Sequence, residues 1–219
     1  MKNLNRGFFF TFEGIDGCGK STQLELIARA LKEKGFNCIV TREPGGTSIS
    51  TKIRELLLSP DNKEMRIQTE CLLYMAARAQ HVREVIAPAV DRGDIVLCDR
   101  FEQATFAYQG YGRGLNIDFL REINKFATDG LTPDITFIFD ISVSLSQKRL
   151  SNIGKGRDRL ESEGAEFFHK VRQGYLSAAE ADPQKIKMLD GSKTVEALSK
   201  EVLDILCRYI EHAYRTFSS

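Results

Sequence analysis

The sequence has no excess of either charge and no long apolar run. Its 31 Lys and Arg residues against 30 Asp and Glu give a net charge of +1, so we expect no nucleic-acid partner, because duplex binding needs many cations on phosphates. No apolar run approaches the roughly 20 residues of a bilayer span. The early run Phe8 to Phe12 ends at Glu13 and is shorter than a signal-peptide core of about 7 to 15 residues. We therefore also expect no membrane partner.

Close cysteine pairs are missing as well. The five cysteines are widely spaced and include no Cys-x-x-Cys pair, which argues against a disulfide framework and a zinc site and favours a cytoplasmic protein. With 42% hydrophobic residues among 219 positions, the chain can bury a full core. Because no repeat or linker interrupts it, we expect a single domain over residues 1–219.

Short apolar runs alternate with helical patterns along the chain. Leu24, Ile27 and Leu31 have the spacing of a helix face, and the pattern from Ile67 to Val90 predicts a long buried helix that Pro88 bends or shortens. The alternation predicts an α/β fold in which helices flank a five-stranded parallel sheet. The predicted strands are Phe8–Phe12, Cys38–Val40, Ile95–Cys98, Ile135–Phe139 and Ile186–Leu189.

The strongest motif follows the first predicted strand. Gly14 to Ser21 (GIDGCGKS) matches the phosphate-loop pattern G-x-x-x-x-G-K-[S/T] and opens the first predicted helix. Glycines in such a loop turn backbone N–H groups toward the phosphates of a nucleotide. Lys20 would reach the outer phosphates and Ser21 would ligate magnesium. The motif predicts a three-layer P-loop NTPase fold; the alternative is a glycine-rich turn followed by a surface lysine.

Asp99 ends the predicted strand Ile95–Cys98. If that strand lies beside the first, the Asp99 carboxylate approaches the magnesium ion held by Ser21, directly or through water. The alternative is that Asp99 only caps the following helix. Arg100, the next residue, offers a forked cation that a second phosphorylated substrate would explain.

Several arginines are predicted near the carboxyl ends of the strands, where open α/β sheets bind ligands. Any one of them is equally consistent with a solvated surface residue. Together they indicate a second anionic ligand beside the nucleoside triphosphate. They are Arg42, Arg54, Arg78, Arg100 and Arg113.

Four motifs in order carry a family resemblance that runs over nearly the whole chain. They are residues 12–23 (FEGIDGCGKSTQ), 41–47 (TREPGGT), 76–81 (AARAQH) and 99–113 (DRFEQATFAYQGYGR). On these motifs the chain resembles bacterial thymidylate kinases, which are P-loop nucleoside monophosphate kinases. The resemblance implies magnesium-dependent transfer of the γ-phosphate of ATP to dTMP, giving dTDP and ADP. It also implies a homodimer formed through long apolar helices such as the one containing Leu72.

The resemblance also implies roles for individual positions. Arg54 and Arg100 would clamp the acceptor phosphate, Tyr74 would stack on thymine, and Tyr108 would crowd the 2′ position of the sugar. The implied catalytic residues are Asp16, Lys20, Arg100, Arg157 and Arg159. The implied ATP-binding residues are Gly14, Ile15, Asp16, Gly17, Cys18, Gly19, Lys20, Ser21 and Thr22. The implied dTMP-binding residues are Glu43, Pro44, Arg54, Tyr74, Arg78, Arg100, Thr105, Tyr108 and Gln109, and the implied metal ligands are Ser21 and Asp99.

A basic segment with few apolar residues runs from Ser151 to Arg159. Residues 158–161 (DRLE) resemble the lid of the family, so we assign the lid to residues of about 150–163. Because the phosphate loop has no arginine, a basic side chain would have to come from the lid and close over the transferring phosphate. Either Arg157 or Arg159 would do so; the alternative is a solvated basic loop.

Two other functions stay open. One is another P-loop nucleoside or nucleoside monophosphate kinase, although a neutral hydroxyl acceptor would leave Arg54 and Arg100 without an anionic partner. The other is a nucleotide-dependent switch, which would need segments that become ordered around the γ-phosphate.

Overall fold

A five-stranded parallel sheet organises residues 6–153 and 158–216, the part of the chain that the computed structural model describes. The strands are β1 (Phe8–Glu13), β2 (Cys38–Arg42), β3 (Ile95–Asp99), β4 (Ile135–Asp140) and β5 (Ile186–Asp190), in the order β2-β3-β1-β4-β5. Each predicted strand is confirmed and ends one or two residues later than its apolar run. The last residue of each strand still pairs through its backbone while its polar side chain lies at the edge of the sheet.

Helices connect the strands and cover the sheet. Among the described residues they are α1 (Lys20–Glu33), α2 (Ser48–Leu58), α3 (Ile67–His81), α4 (Ala87–Asp91), α5 (Glu102–Thr105), α6 (Ile117–Thr128), α7 (Val143–Ile153), α8 (Ala165–Ala181) and α9 (Val195–Thr216). Two π-helical segments, Val82–Ile86 and Phe106–Gly112, continue α3 and α5. None of the described helices has both the length and the apolar character needed to cross a bilayer.

The helix predicted from Ile67 to Val90 forms as α3, the first π-helical segment and α4. Pro88 does not end it. Proline lacks an N–H and its ring crowds the carbonyl four residues earlier, and the wider π turn accommodates it, with the Ala87 N–H donating to the Val82 carbonyl five residues back. The expectation of full burial is wrong at Leu72, which is 60% exposed.

The side chains of β1 alternate between two apolar layers, as the two-residue period of a strand requires. Phe8, Phe10 and Phe12 join a large cluster with apolar residues of α1, α8 and α9. Phe9 joins a smaller cluster on the other face with Ile86. With both faces covered, β1 is fixed at the centre of the sheet, and the loop that follows it opens at the carboxyl edge of the strands.

Candidate functional site

The loop between β1 and α1 has the backbone geometry of a phosphate cradle. Gly14, Gly17 and Gly19 have φ angles of 132°, 77° and 94°, a region that glycine adopts without strain. A Cβ at Gly14 would lie 2.6 Å from the Phe139 carbonyl oxygen, so a larger residue does not fit there. α1 then begins with no side-chain cap on its first turn, which leaves backbone N–H groups facing the loop for an anion.

The structure brings together the four polar side chains predicted at this loop. The strand pair β1 and β3 sets Phe12 opposite Asp99, which carries the Asp99 carboxylate to α1. There Ser21 Oγ donates to Asp99 Oδ2 at 2.8 Å. Lys20 is buried, and its Nζ lies 3.4 Å from Asp16 Oδ1.

Arg100 is held at three points beside the same loop. Its Nη2 donates to Asp16 Oδ1 at 2.7 Å and to the Tyr108 hydroxyl at 3.2 Å, and its Nη1 donates to the Tyr175 hydroxyl at 3.1 Å. Burial disfavours the ionised form of Asp16, but the charges of Arg100 and Lys20 outweigh it and hold the pKa of Asp16 well below its ordinary value. The loop therefore carries one carboxylate between two cations.

Two cavities meet at the phosphate loop. One has a volume of about 250 Å³ and the other of about 610 Å³, and Asp16, Lys20 and Ser21 line both. The larger cavity is also lined by the loop residues Gly17, Cys18, Gly19 and Thr22, together with residues of α7 and α9. The smaller cavity is lined by every residue predicted to bind dTMP, namely Glu43, Pro44, Arg54, Tyr74, Arg78, Arg100, Thr105, Tyr108 and Gln109.

Arg78 lies in the wall of the smaller cavity with its guanidinium already bonded. Its Nε donates to Glu43 Oε2 at 2.7 Å, its Nη1 to Asn124 Oδ1 at 2.8 Å and its Nη2 to the Phe101 carbonyl at 2.8 Å. The other oxygen of Glu43 lies 3.0 Å from His81 Nδ1. The Glu43 carboxylate thus contacts both Arg78 and His81. Arg78, which lines the cavity, also bonds to Asn124 and to the Phe101 carbonyl and so fixes part of the fold.

Two other cations in this wall have no carboxylate partner among the described residues. Within residues 6–153 and 158–216, Arg42 and Arg54 form no ion pair, and Arg54 Nη1 donates only to the Pro44 carbonyl, at 3.1 Å. Burial and the neighbouring charge of Arg42 lower the pKa of Arg54, the direction expected where positive charges crowd together. This part of the cavity is therefore suited to an anion.

The smaller cavity is also lined by Tyr74, Thr105 and Gln109, which the resemblance predicts to bind dTMP. The Thr105 hydroxyl is buried and has no hydrogen-bond partner among the described residues. Tyr74 lies one helical turn from Arg78 on α3, and burial raises the pKa of its hydroxyl. The Gln109 amide nitrogen donates to Glu70 Oε1 at 2.9 Å. The arrangement combines an aromatic ring with several directed polar groups.

Arg159, one of the two predicted lid arginines, is not at the phosphate loop. Arg159 Nε donates to the Leu57 carbonyl at 2.8 Å, and its guanidinium pairs with Glu70 at 2.6 Å. Arg157 lies outside the described residues. Arg113, one of the five predicted cations, pairs with Glu70 and Glu163 and does not line either cavity at the loop.

Sequence reasoning missed residues that support the site from behind. Glu13 is fully buried, where it accepts from the Phe101 N–H at 2.7 Å and from the Tyr175 hydroxyl at 3.1 Å, and burial raises its pKa to about 7. Arg149 donates to the Gly17 carbonyl at 3.1 Å and so braces the loop. The available signal for Glu13 was a lone carboxyl directly after a strand of four phenylalanines and one threonine. The sequence around Tyr175 carries no comparable local signal.

Comparisons with known proteins agree with this geometry. A family model described as thymidylate kinase matches residues 12–202. The chain is 48% identical to a thymidylate kinase of an Exiguobacterium species over 198 residues, covering 90% of this chain and 93% of that one. It is 45% identical to a thymidylate kinase of Pseudomonas putida over 205 residues, covering 94% and 97%. A crystal structure of thymidylate kinase from Ehrlichia chaffeensis matches with a TM-score of 0.74 and 33% identity, covering 91% of this chain and 98% of that one. The motifs, the sheet and these matches together place the chain in the thymidylate kinase family.

Proposed function

We propose that this chain transfers the γ-phosphate of ATP to dTMP, giving dTDP and ADP. The observation that carries the proposal is that two cavities share Asp16, Lys20 and Ser21 at the phosphate loop. Nucleotides bound from the two sides would meet end to end there. Membership of the thymidylate kinase family supports ATP as the donor and dTMP as the acceptor.

ATP is assigned to the larger cavity. Its phosphates would lie against the backbone N–H groups of residues 14 to 22, with Lys20 reaching the outer phosphates. Gly14 and Ile15 support this loop without lining that cavity. The uncapped start of α1 adds the positive end of the helix dipole to the same place.

The acceptor dTMP is assigned to the smaller cavity. Arg54 and Arg100 would bind its phosphate, because Arg54 forms no ion pair with any described residue and Arg100 lies beside the loop. The Tyr74 ring would stack on thymine. The directed polar groups of Arg78, Thr105 and Gln109 would contact the base edge, with Glu43 and Pro44 completing the wall and Tyr108 lying beside the sugar.

The reaction requires the protein to position the two nucleotides and to neutralise their charge, and it does not require a general base. The acceptor phosphate is largely ionised at neutral pH, since the second pKa of a phosphate monoester is about 6. Its oxygen can therefore attack the γ-phosphorus directly, in line with the departing ADP. Lys20 and Arg100 offset the repulsion between the two anions in a site of low dielectric. Asp16 holds both cations at the meeting point.

The residues at the loop also fit a magnesium ion. Asp99 Oδ1 is buried and has no hydrogen-bond partner in the described ranges, while Ser21 Oγ lies 2.8 Å from Asp99 Oδ2. Hydroxyl and carboxylate oxygens suit magnesium, which keeps several waters and needs few protein ligands. Magnesium would neutralise phosphate charge, and Ser21 and Asp99 would hold it, directly or through water.

We further propose that residues 1–219 form one domain whose lid, at about 150–163, supplies the last cation. Arg159 would have to leave Glu70 and the Leu57 carbonyl to reach the phosphates. Arg157 lies nearer the middle of the lid sequence and outside the described residues. Both arginines stay candidates for this role.

The chain is also proposed to form a homodimer. Apolar side chains on three neighbouring helices are exposed, namely Ile49 and Leu56 on α2, Leu72 on α3, and Phe119 and Phe126 on α6. Phe126 is 90% exposed. An apolar surface of this kind on packed helices marks a protein contact.

The five cysteines lie within the described part of the chain and form no disulfide, which supports a cytoplasmic location.

An acceptor panel tests the proposed function. ATP consumption is measured with dTMP, dUMP, CMP, AMP and thymidine, and also with no acceptor. We expect dTMP to give the highest kcat/KM. Faster turnover of thymidine than of dTMP would identify a nucleoside kinase instead, and ATP hydrolysis that is independent of any acceptor would favour a nucleotide-dependent switch.

A further inference from the structure

A buried carboxylate lies behind the acceptor cavity without lining it. Glu70 on α3 is 1% exposed. It accepts from Gln109 Nε2 at 2.9 Å and from Arg113 Nε and Nη2 at 3.3 Å and 3.2 Å, and Arg159 pairs with it at 2.6 Å. Of these four residues, only Gln109 also lines the cavity.

The surroundings of Glu70 keep it ionised. Burial opposes ionisation, but the hydrogen bond from Gln109 and the charge of Arg113 lower its pKa below the ordinary value. An ionised carboxylate only accepts hydrogen bonds. The amide of Gln109 therefore has a single compatible orientation, with its nitrogen toward Glu70 and its oxygen on the opposite side of the amide.

We propose that Glu70 is a positioning residue that fixes the Gln109 amide with its oxygen toward the acceptor base. The inference rests on the proposed binding of dTMP in this cavity. An amide oxygen accepts from a base that carries N3–H, as thymine does. The same amide oxygen would be repelled by cytosine, because N3 of cytosine carries a lone pair instead of a hydrogen. Glu70 thereby determines pyrimidine specificity without contacting the substrate.

The variant Glu70→Gln tests this step. A glutamine of nearly the same size both donates and accepts, so the Gln109 amide becomes free to turn and present its nitrogen to the cavity. We expect the KM for dTMP to rise roughly 10- to 100-fold, because the turned amide would leave the buried N3–H of thymine without an acceptor. The kcat for dTMP and the KM for ATP should change much less, because the lost contact binds substrate and transition state alike. The ratio of kcat/KM for dTMP to that for dCMP should fall at least 10-fold.

Glu163→Gln is the matched control. It makes the same chemical change at the other carboxylate partner of Arg113, 2.6 Å from its Nη1, and has no contact with Gln109 among the described side chains. We expect its ratio of dTMP to dCMP to stay at the wild-type value, because any effect of Glu163 on the proposed lid would act on both acceptors alike. If both variants lowered stability and neither changed the ratio, Glu70 would have a structural role only.

A second measurement uses the unaltered protein and holds even if Glu70→Gln does not fold. A dTMP analogue methylated at N3 cannot donate to the amide oxygen, so its binding should be at least 10-fold weaker than that of dTMP. Equal binding of the two, or an unchanged dTMP to dCMP ratio in folded Glu70→Gln, would overturn the role of Glu70. Absence of dTMP turnover in the unaltered protein would instead overturn the proposed function.

Discussion

At the scale of single residues, the least expected feature is the support given to Arg100. Its φ of 69° is unusual for a residue with a side chain. Glu13 stabilises this turn, because it accepts the N–H of the next residue, Phe101, and reaches the Arg100 guanidinium through the Tyr175 hydroxyl. A buried acid therefore fixes both the backbone and the side chain of the residue assigned to the acceptor phosphate.

Glu13 should make stability depend on pH. Burial raises its pKa from 4.5 to about 7, so the folded chain keeps a proton that the unfolded chain has released. The free energy of unfolding should therefore fall as pH rises through this window. Glu13→Gln carries no such proton, and urea unfolding should show it gaining up to about 3 kcal/mol on the wild type over the same window. A constant difference between the two proteins would contradict a buried protonated Glu13.

Some residues of the site could be predicted from a short stretch of sequence, and others could not. The phosphate loop and Asp99 could be predicted because a motif and a strand end specify them, and the register of β1 with β3 then brings Ser21 to Asp99. Tyr175 could not be predicted, since it meets Glu13 across 162 positions. The sequence also does not show which arginines are paired with a carboxylate and which are available to a ligand. Arg113 and Arg159 have carboxylate partners that become visible only in the fold.

At the scale of elements, the second π-helical segment forms part of the wall of the smaller cavity. It carries Tyr108 and Gln109, and it packs on α8, where a Cβ at Gly112 would lie 2.6 Å from the Phe167 ring. Gly112→Ala should therefore push this segment away from α8. We expect a loss of about 1–3 kcal/mol in the free energy of unfolding, as in other overpacked cores, and a raised KM for dTMP.

Gly164→Ala is the control for that change. In the described part of the chain no heavy atom lies within 4 Å of a Cβ at Gly164. An alanine there therefore changes only the N-cap residue of α8 and meets no neighbouring side chain. The KM for dTMP should stay unchanged and any loss of stability should stay below about 1 kcal/mol. An equal rise in KM in both variants would show that α8 itself, and not the contact at Gly112, positions the segment.

Elements were predictable where their hydrophobic period was unambiguous. All five strands follow from apolar runs. The runs are clearest in the central strands β1, β3 and β4, since a parallel strand buried on both faces needs apolar side chains. The edge strands β2 and β5 are only partly buried. The π-helical segments did not follow, because a spacing of three and four residues does not separate an α turn from a π turn. Pro88 shows the consequence: its missing N–H is accommodated by a wider turn upstream and the helix continues.

At the scale of the whole molecule, the net charge conceals how the charges are arranged. The chain as a whole carries +1, yet cations from β2, α2, α3 and the end of β3 converge on one cavity. They are Arg42, Arg54, Arg78 and Arg100. Their convergence depends on the strand order, which places β2 and β1 on either side of β3. Composition excludes a uniformly basic surface, whereas only the topology locates an anion site.

The exposed apolar side chains of α2, α3 and α6, together called the apolar face, lead to the last prediction. Phe126 is 90% exposed in the single chain, so replacing it should change the stability of one subunit by no more than about 0.5 kcal/mol. In a homodimer formed through this face, Phe126→Lys would place a charge in a desolvated contact. Light scattering should therefore give about twice 24.7 kDa for the wild type and a mass shifted toward 24.7 kDa for the variant.

Met188→Lys separates an effect of this face from a general effect of surface charge. Met188 is 36% exposed on the edge strand β5 and outside the apolar face, so the same charge there should leave the mass of the assembly unchanged. A wild-type mass near 24.7 kDa at every concentration would refute the homodimer. If Met188→Lys dissociated the assembly and Phe126→Lys did not, the contact would lie at the edge of the sheet, because a charge disrupts association only where it is desolvated.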